Sequence, residues 1–231
     1  MIKVIFPLSV LTAFLLTACG SGQSVQVGEA DKLLPDATAA DWRTYADHLV
    51  VAEVVSEKKL PMSEEENGSG EGFADRLLTF RIDKVLWSNE GAEAAPTELT
   101  TSIDGWTVHD GKETPFRFSG EPEIVTGHTY VMPVTYLRVG RLVDTPGWMT
   151  LSVVPADDGE IGKGDTIFGE PSEVESSLLG KPVSAAVDLM VNTPLPDVAK
   201  PFMGLPPTDR LTAITKAQEK SLGSAEPSEL P

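Results

Sequence analysis

The chain has 231 residues, 41% of them apolar, which suits one domain with a sizeable core or two small ones and is too apolar for a disordered polymer. Its formal charge is −17, and −18 once residues 1–18, whose one charge is Lys3, are set aside. So acidic a surface excludes a nucleic-acid partner, which is bound by cations neutralising phosphates, and it is repelled by anionic lipid headgroups.

In chain order, Lys3 is followed by an apolar run over 4–16 of about thirteen residues. A bilayer-spanning helix needs roughly 20, so the run reads as the core of a secretory signal. It ends in Leu16-Thr17-Ala18-Cys19, and Cys19 is the one cysteine of the chain, so no internal disulfide forms. Leu at −3, two small residues and an obligate Cys resemble the lipobox of bacterial lipoprotein precursors. The resemblance implies removal of a signal peptide, 1–18, and diacylglycerol on the Cys19 sulfur. It also implies a further acyl chain, such as palmitate, on the new amine. The protein is then expected on the extracytoplasmic face of a bacterial membrane, and Gly20 at +2 points to the outer membrane where there are two. Each buried methylene contributes about 0.8 kcal/mol, so two or three chains make a stable anchor. Residues 19–37, opening Gly20-Ser21-Gly22-Gln23-Ser24, are expected to be a lipidated N-terminus and flexible tether.

A single domain is expected over 38–222. Thr38-Ala39-Ala40-Asp41 has the spacing of a capping box, with Trp42, Tyr45, Ala46 and Leu49 following at helical spacing into a valine-rich strand over 49–56. Residues 63–72, Ser-Glu-Glu-Glu-Asn-Gly-Ser-Gly-Glu-Gly, read as an acidic, mobile loop. Leu78, Phe80 and Ile82 alternate with polar residues, and the phase then slips to Val85 and Trp87, predicting a bulge near Asp83-Lys84. Leu99, Thr101 and Ile103 mark a third strand. Asp110-Gly111 predicts a tight hairpin turn between Trp106/Val108 and Phe116/Phe118. Tyr130, Met132, Val134 and Tyr136 share a strand face, with Pro133 pushing that strand toward an edge or a bulge. Thr145-Pro146-Gly147 fits a type II turn into Met149, Leu151 and Val153, and short strands are expected near Ile161 and Ile167. The period then changes. Ser172 and Glu175 make a capping box, Val183, Val187, Met190 and Val191 make an amphipathic stripe, and a third helix is expected from Thr208 until Gly223 stops it. The tail, 223–231, reads as disordered.

Strands first and helices after predict an α+β fold: an antiparallel β-barrel or strongly bent sheet with short C-terminal helices. The segments 46–55, 78–87 (Leu-Thr-Phe-Arg-Ile-Asp-Lys-Val-Leu-Trp) and 127–131 (Gly-His-Thr-Tyr-Val) resemble, in their order, the OB-like barrel of netrin and tissue-inhibitor-of-metalloproteinase modules. That resemblance covers under half the chain and implies a fold, not an activity. The family's cysteine framework is absent, and the N-terminal cysteine wedge of those inhibitors has no counterpart.

No reaction is spelled out. His48, His109 and His128 lie far apart, without zinc spacing, and read as surface or turn histidines. Gly68-Ser69-Gly70 lacks the nucleophile-elbow pattern, and Ser56-Glu57-Lys58-Lys59 matches Ser-x-x-Lys without its partner motifs. Asp157, Asp158, Glu160 and Asp165 supply oxygen ligands for calcium but miss the EF-hand spacing, and turn chemistry alone accounts for Asp-Gly. No cofactor and no catalytic residue are assigned. Trp42, Trp87, Trp106 and Trp148 could line a sugar or peptide groove but read as core, and if one is exposed at a ligand surface it is Trp106, close to the Asp110-Gly111 turn.

Three functions remain. The first is a non-catalytic, lipid-anchored module binding an envelope protein or glycan. The second is a hydrolase of envelope polymers, which requires two carboxylates converging in a concave pocket, one with a raised pKa. The third is a small-ligand-binding lipoprotein, for which the chain is too short to form two lobes and a hinge.

Overall fold

The computed structural model describes residues 25–29, 31–138 and 146–223. The signal run, Cys19, Thr145 and residues 224–231 lie outside them. Among the described residues eight strands form one sheet: β1 (Gln26–Gly28), β2 (His48–Lys59), β3 (Glu71–Ser88), β4 (Glu98–His109), β5 (Lys112–Phe118), β6 (Thr129–Leu137), β7 (Gly147–Thr150) and β8 (Val154–Pro155). Their order is β1-β5-β4-β3-β2-β6-β7, with β8 also beside β6. The β1–β5 pair is parallel and every other pair antiparallel. The fold is therefore α+β with a mixed sheet, and the sheet does not close. The three segments at 46–55, 78–87 and 127–131 fall on β2, β3 and β6, which are adjacent.

Bulges bend this sheet. Between β2 and β3 the register shifts three times, leaving Asp83 and Leu86 as extra residues on β3 and Val55 on β2. Each insertion kinks its strand and adds right-handed twist. The Asp110-Gly111 hairpin turn has φ of 49° and 73°, the left-handed pair that a two-residue turn between twisted strands needs.

Alternation along β2 and β6 then separates two cores. Val50, Ala52, Val54, Tyr130, Met132 and Val134 point to the concave side, where they meet Leu78, Phe80 and Leu99. Leu49 and Val131 point outward against Trp42, Tyr45, Leu178 and Met190. Those come from α1 (Ala39–Tyr45), α3 (Glu173–Leu178) and α4 (Ser184–Asn192), with α5 (Pro207–Gly223) added through Ile214. Helices thus cover one face while the sheet's curl covers the other. The capping boxes at Thr38/Asp41 and Ser172/Glu175 form as their spacing predicts. No helix among the described residues is long and apolar enough to cross a membrane.

Four expectations need correction. The 63–72 loop contains α2 (Glu64–Ser69), because Ser63 and Glu66 cap each other and Gly70 ends the helix in the left-handed conformation. Described parts of the expected tether belong to the domain: β1 pairs with β5, and Leu34 is 2% exposed in the outer core. Pro133 lies in an interior strand and not at an edge, while the expected bulge is present beside it, where Met132 and Pro133 oppose Leu151, Ser152 and Val153. The Pro133 carbonyl accepts from Leu151 N, while its missing N–H falls where the partner strand breaks between β7 and β8. Near Ile167 there is an isolated bridge to Pro122, and beside Ile161 one between Glu160 and Pro182, instead of strands.

Candidate functional site

Because the sheet stays open, β4 and β7 approach without pairing and leave a cleft of about 280 Å³ at the seam. Its walls are mostly apolar: Leu33, Ile103, Phe118, Ile124, Leu151 and Val153. Lys32, Asp104 and Glu121 supply its charged groups.

Asp104 reaches the cleft through a fourth bulge. Arg76 pairs with Ile103 and Ala74 with Trp106, so Asp75 alone opposes both Asp104 and Gly105. A β-carbon on Gly105 would collide with the Ala74 carbonyl oxygen, so only glycine fits beside the bulged residue. The insertion re-aims the Asp104 side chain, a common use of bulges.

Around Asp104 lies an ion-pair network at the end of the concave core. Arg76, 4% exposed, forks onto Glu57 with two bonds of 2.9 Å and reaches Glu123 at 3.2 Å and the Ile124 carbonyl at 2.5 Å. Arg117 forks onto Glu123 at 2.6 and 2.7 Å and donates to the Gly105 and Phe116 carbonyls. Two arginines thus neutralise two glutamates in bidentate geometry. The Arg76 bonds hold the Glu57 carboxyl below the usual range.

Asp104 is the acid left over. Its side chain is 9% exposed; among the described residues its Oδ2 accepts no hydrogen bond and its nearest cation is Arg117 Nε at 3.8 Å. Burial pushes its pKa up to about 6, and the Arg117 charge only partly opposes that. The backbone N–H of Asp104 itself supports the carboxyl, but leaving one buried oxygen without a donor is costly and favours the protonated form. At the rim, Lys32 lies between Asp36 Oδ2 at 2.5 Å and Glu121 Oε1 at 2.6 Å, and burial pushes the Asp36 carboxyl up.

The residues singled out from sequence lie elsewhere. Trp106 is half-buried, with the Lys59 ammonium 4.5 Å above its ring, and does not line the cleft. Trp42 is fully buried, Trp87 stacks under Arg43, and Trp148 packs on His48 and Tyr136. His48 is 4% exposed, against the surface placement expected of it, because its ring bonds Ser88 Oγ and the Glu93 carbonyl, both at 2.8 Å. His109 is exposed beside Glu71. Lys59 of the Ser-x-x-Lys match pairs with Glu113 at 2.5 Å.

Of the calcium candidates, Asp157 and Asp165 converge on His128 Nδ1, at 2.6 and 3.5 Å, while Asp158 pairs with Lys163 and Glu160 is exposed. Asp165 also accepts from the Tyr130 hydroxyl, and Asp157 from Thr129 N. The bond to Asp157 raises the His128 pKa. No group of three or more His, Cys, Asp or Glu among the described residues is arranged to hold a metal. The cluster ties the 157–165 loop to the start of β6.

Asp104, Arg76, Arg117, Glu57 and Glu123 were missed from sequence. The available signal was the Asp104-Gly105 pair that interrupts the alternation between Ile103 and Trp106. Compared with known proteins, the chain matches no family model, no curated protein and no solved structure.

Proposed function

We propose that this chain is a lipid-anchored extracytoplasmic binding protein whose domain, a strongly curved sheet of OB-like character, takes up a small ligand at its open seam. One observation carries the reading: a mostly apolar cleft of about 280 Å³ holds one buried carboxylate with an unmet acceptor. Ligand pockets combine apolar walls with a few placed polar groups in this manner. A cleft within one curved sheet can take up a small ligand without two lobes and a hinge. Lipid on Cys19, Gly20 at +2 and the acidic surface fit a domain held at a membrane by its acyl chains alone, the outer membrane where there are two.

Two measurements test this. Cys19→Ala should remove the acyl mass from the intact protein and release it from the membrane fraction, and a variant that fractionates like wild type removes the anchor reading. Ile103→Trp should fill the cleft and abolish binding of a neutral probe such as 2-phenylethanol, and unchanged binding removes the cleft reading.

A second reading has its own observation. Asp104 and Glu121 line the same cleft, and Asp104 has the raised pKa of a general acid. A hydrolase acting on envelope polymers would need both. Glu121 is already engaged by Lys32 at 2.6 Å, which favours binding over chemistry. Release of reducing ends from purified envelope glycan, lost in Asp104→Asn, would reverse that preference.

A further inference from the structure

We propose that the seam cleft selects a small monocation with an apolar body, its amine bonding the Asp104 carboxylate and its body lying on Ile103, Phe118, Ile124 and Val153. The proposal rests on the cleft being the binding site and names the chemistry that site prefers.

Charge balance argues for it. Arg76 and Arg117 are matched by Glu57 and Glu123, bond for bond, so Asp104 is one negative charge in excess. At the other wall Lys32 faces two carboxylates, Asp36 and Glu121, again one negative charge in excess. Among the described residues every cation at the cleft already has its carboxylate, so an anionic ligand meets no free charge from them and adds to the imbalance. A neutral ligand with a hydroxyl satisfies the open acceptor and leaves the charge. A primary amine does both, with the stronger charge-assisted bond. The carboxyl torsion of an aspartate is soft, so a small rotation turns Oδ2 toward an incoming donor. The apolar walls set the rest of the ligand, since a strongly hydrated polyamine would lose its water against Ile103 and Phe118 without compensation.

Three water-soluble ligands of matched shape test this on the full chain held in lipid nanodiscs at pH 7.5: 2-phenylethylamine, 2-phenylethanol and 3-phenylpropionate. The amine should bind about tenfold more tightly than the alcohol, with the propionate weakest. Asp104→Asn should remove the amine's tenfold advantage over the alcohol measured on the same variant, because the neutral amide offers an acceptor without the charge. An alcohol or propionate that binds as tightly as the amine overturns the cation preference while the cleft stands. So does a preference that survives in Asp104→Asn. Absence of any binding sensitive to Ile103→Trp overturns both.

Discussion

Replacing Asp104 by Asn removes a charge at nearly constant size, and the structure predicts that this stabilises the protein at neutral pH. The folded environment holds the Asp104 pKa at about 6 against an ordinary 3.8, chiefly by burial. That interval corresponds to about 3 kcal/mol of disfavour for the carboxylate. Solvent reaching the cleft screens part of it, leaving about 1–2 kcal/mol as the expected gain, or about 2–8 °C in Tm. The pH dependence fixes the cause. Below about pH 4 the carboxyl is protonated in both folded and unfolded chains and contributes no difference. Between about pH 4 and 6 only the folded chain keeps the proton, so wild-type stability falls as pH rises through that window, and above it the loss is complete. The groups facing Asp104 that set this balance are Arg117 and Arg76 on one side and Glu121 on the other. Urea unfolding of both proteins at pH 4.0, 5.0, 6.0 and 7.5 reads the difference directly. The advantage of Asp104→Asn should open across the window and stay constant above it. A variant that is less stable than wild type at pH 7.5 would refute the reasoning, because it would make Asp104 a structural partner of Arg117 and not a surplus acid.

Gly105→Ala should cost about 1–3 kcal/mol, as the new methyl meets the Ala74 carbonyl, and should draw the Asp104 pKa back toward its ordinary value by NMR titration as the bulge re-registers. Trp42→Ala should cost about 3–5 kcal/mol in urea unfolding, since the ring is fully buried in the outer core and its Nε1 donates to the Asp36 carbonyl at 2.9 Å. His128 should titrate above its ordinary 6.5 and return toward it in Asp157→Asn. Its pairing supports the 157–165 loop fully below that ordinary value and loses strength as pH rises through the raised one, so amide exchange in the loop should quicken over that range. An unchanged His128 titration in Asp157→Asn would assign the shift to Asp165 instead.

What could be read from the sequence was what neighbouring residues decide. Thr38/Asp41 and Ser172/Glu175 cap their helices through bonds spanning three residues, and Asp110-Gly111 turns a hairpin by its own dihedral preferences. The Asp83 bulge was legible because a phase slip in apolar alternation is itself a local signal. The 63–72 segment failed as a loop for the converse reason: its composition suggested disorder, but Ser63 and Glu66 already formed a capping box of the kind recognised elsewhere. Leu34 and β1 were lost to the tether because a strand of three residues carries no periodicity, and its pairing with β5 joins residues ninety positions apart.

The cleft belongs to a different order of information. It exists because bulges at Val55, Asp83 and Leu86 curl the sheet until β4 faces β7, and because β7 is too short and too interrupted to pair with β4. No residue in the seam encodes that meeting. Asp104 is harder still to read, since an Asp-Gly pair in a chain rich in such pairs means a turn by default, and here it sits within a strand. Its significance comes only from counting charges in three dimensions, where two arginines are taken by two glutamates and the third acid keeps one oxygen without a donor among the described residues. A stability optimum would place Asn or Leu at that position, and folding gives no reason for the carboxylate. The cation site proposed above would supply one, because a ligand amine brings Asp104 Oδ2 the donor it lacks among the described residues and a charge to match its own.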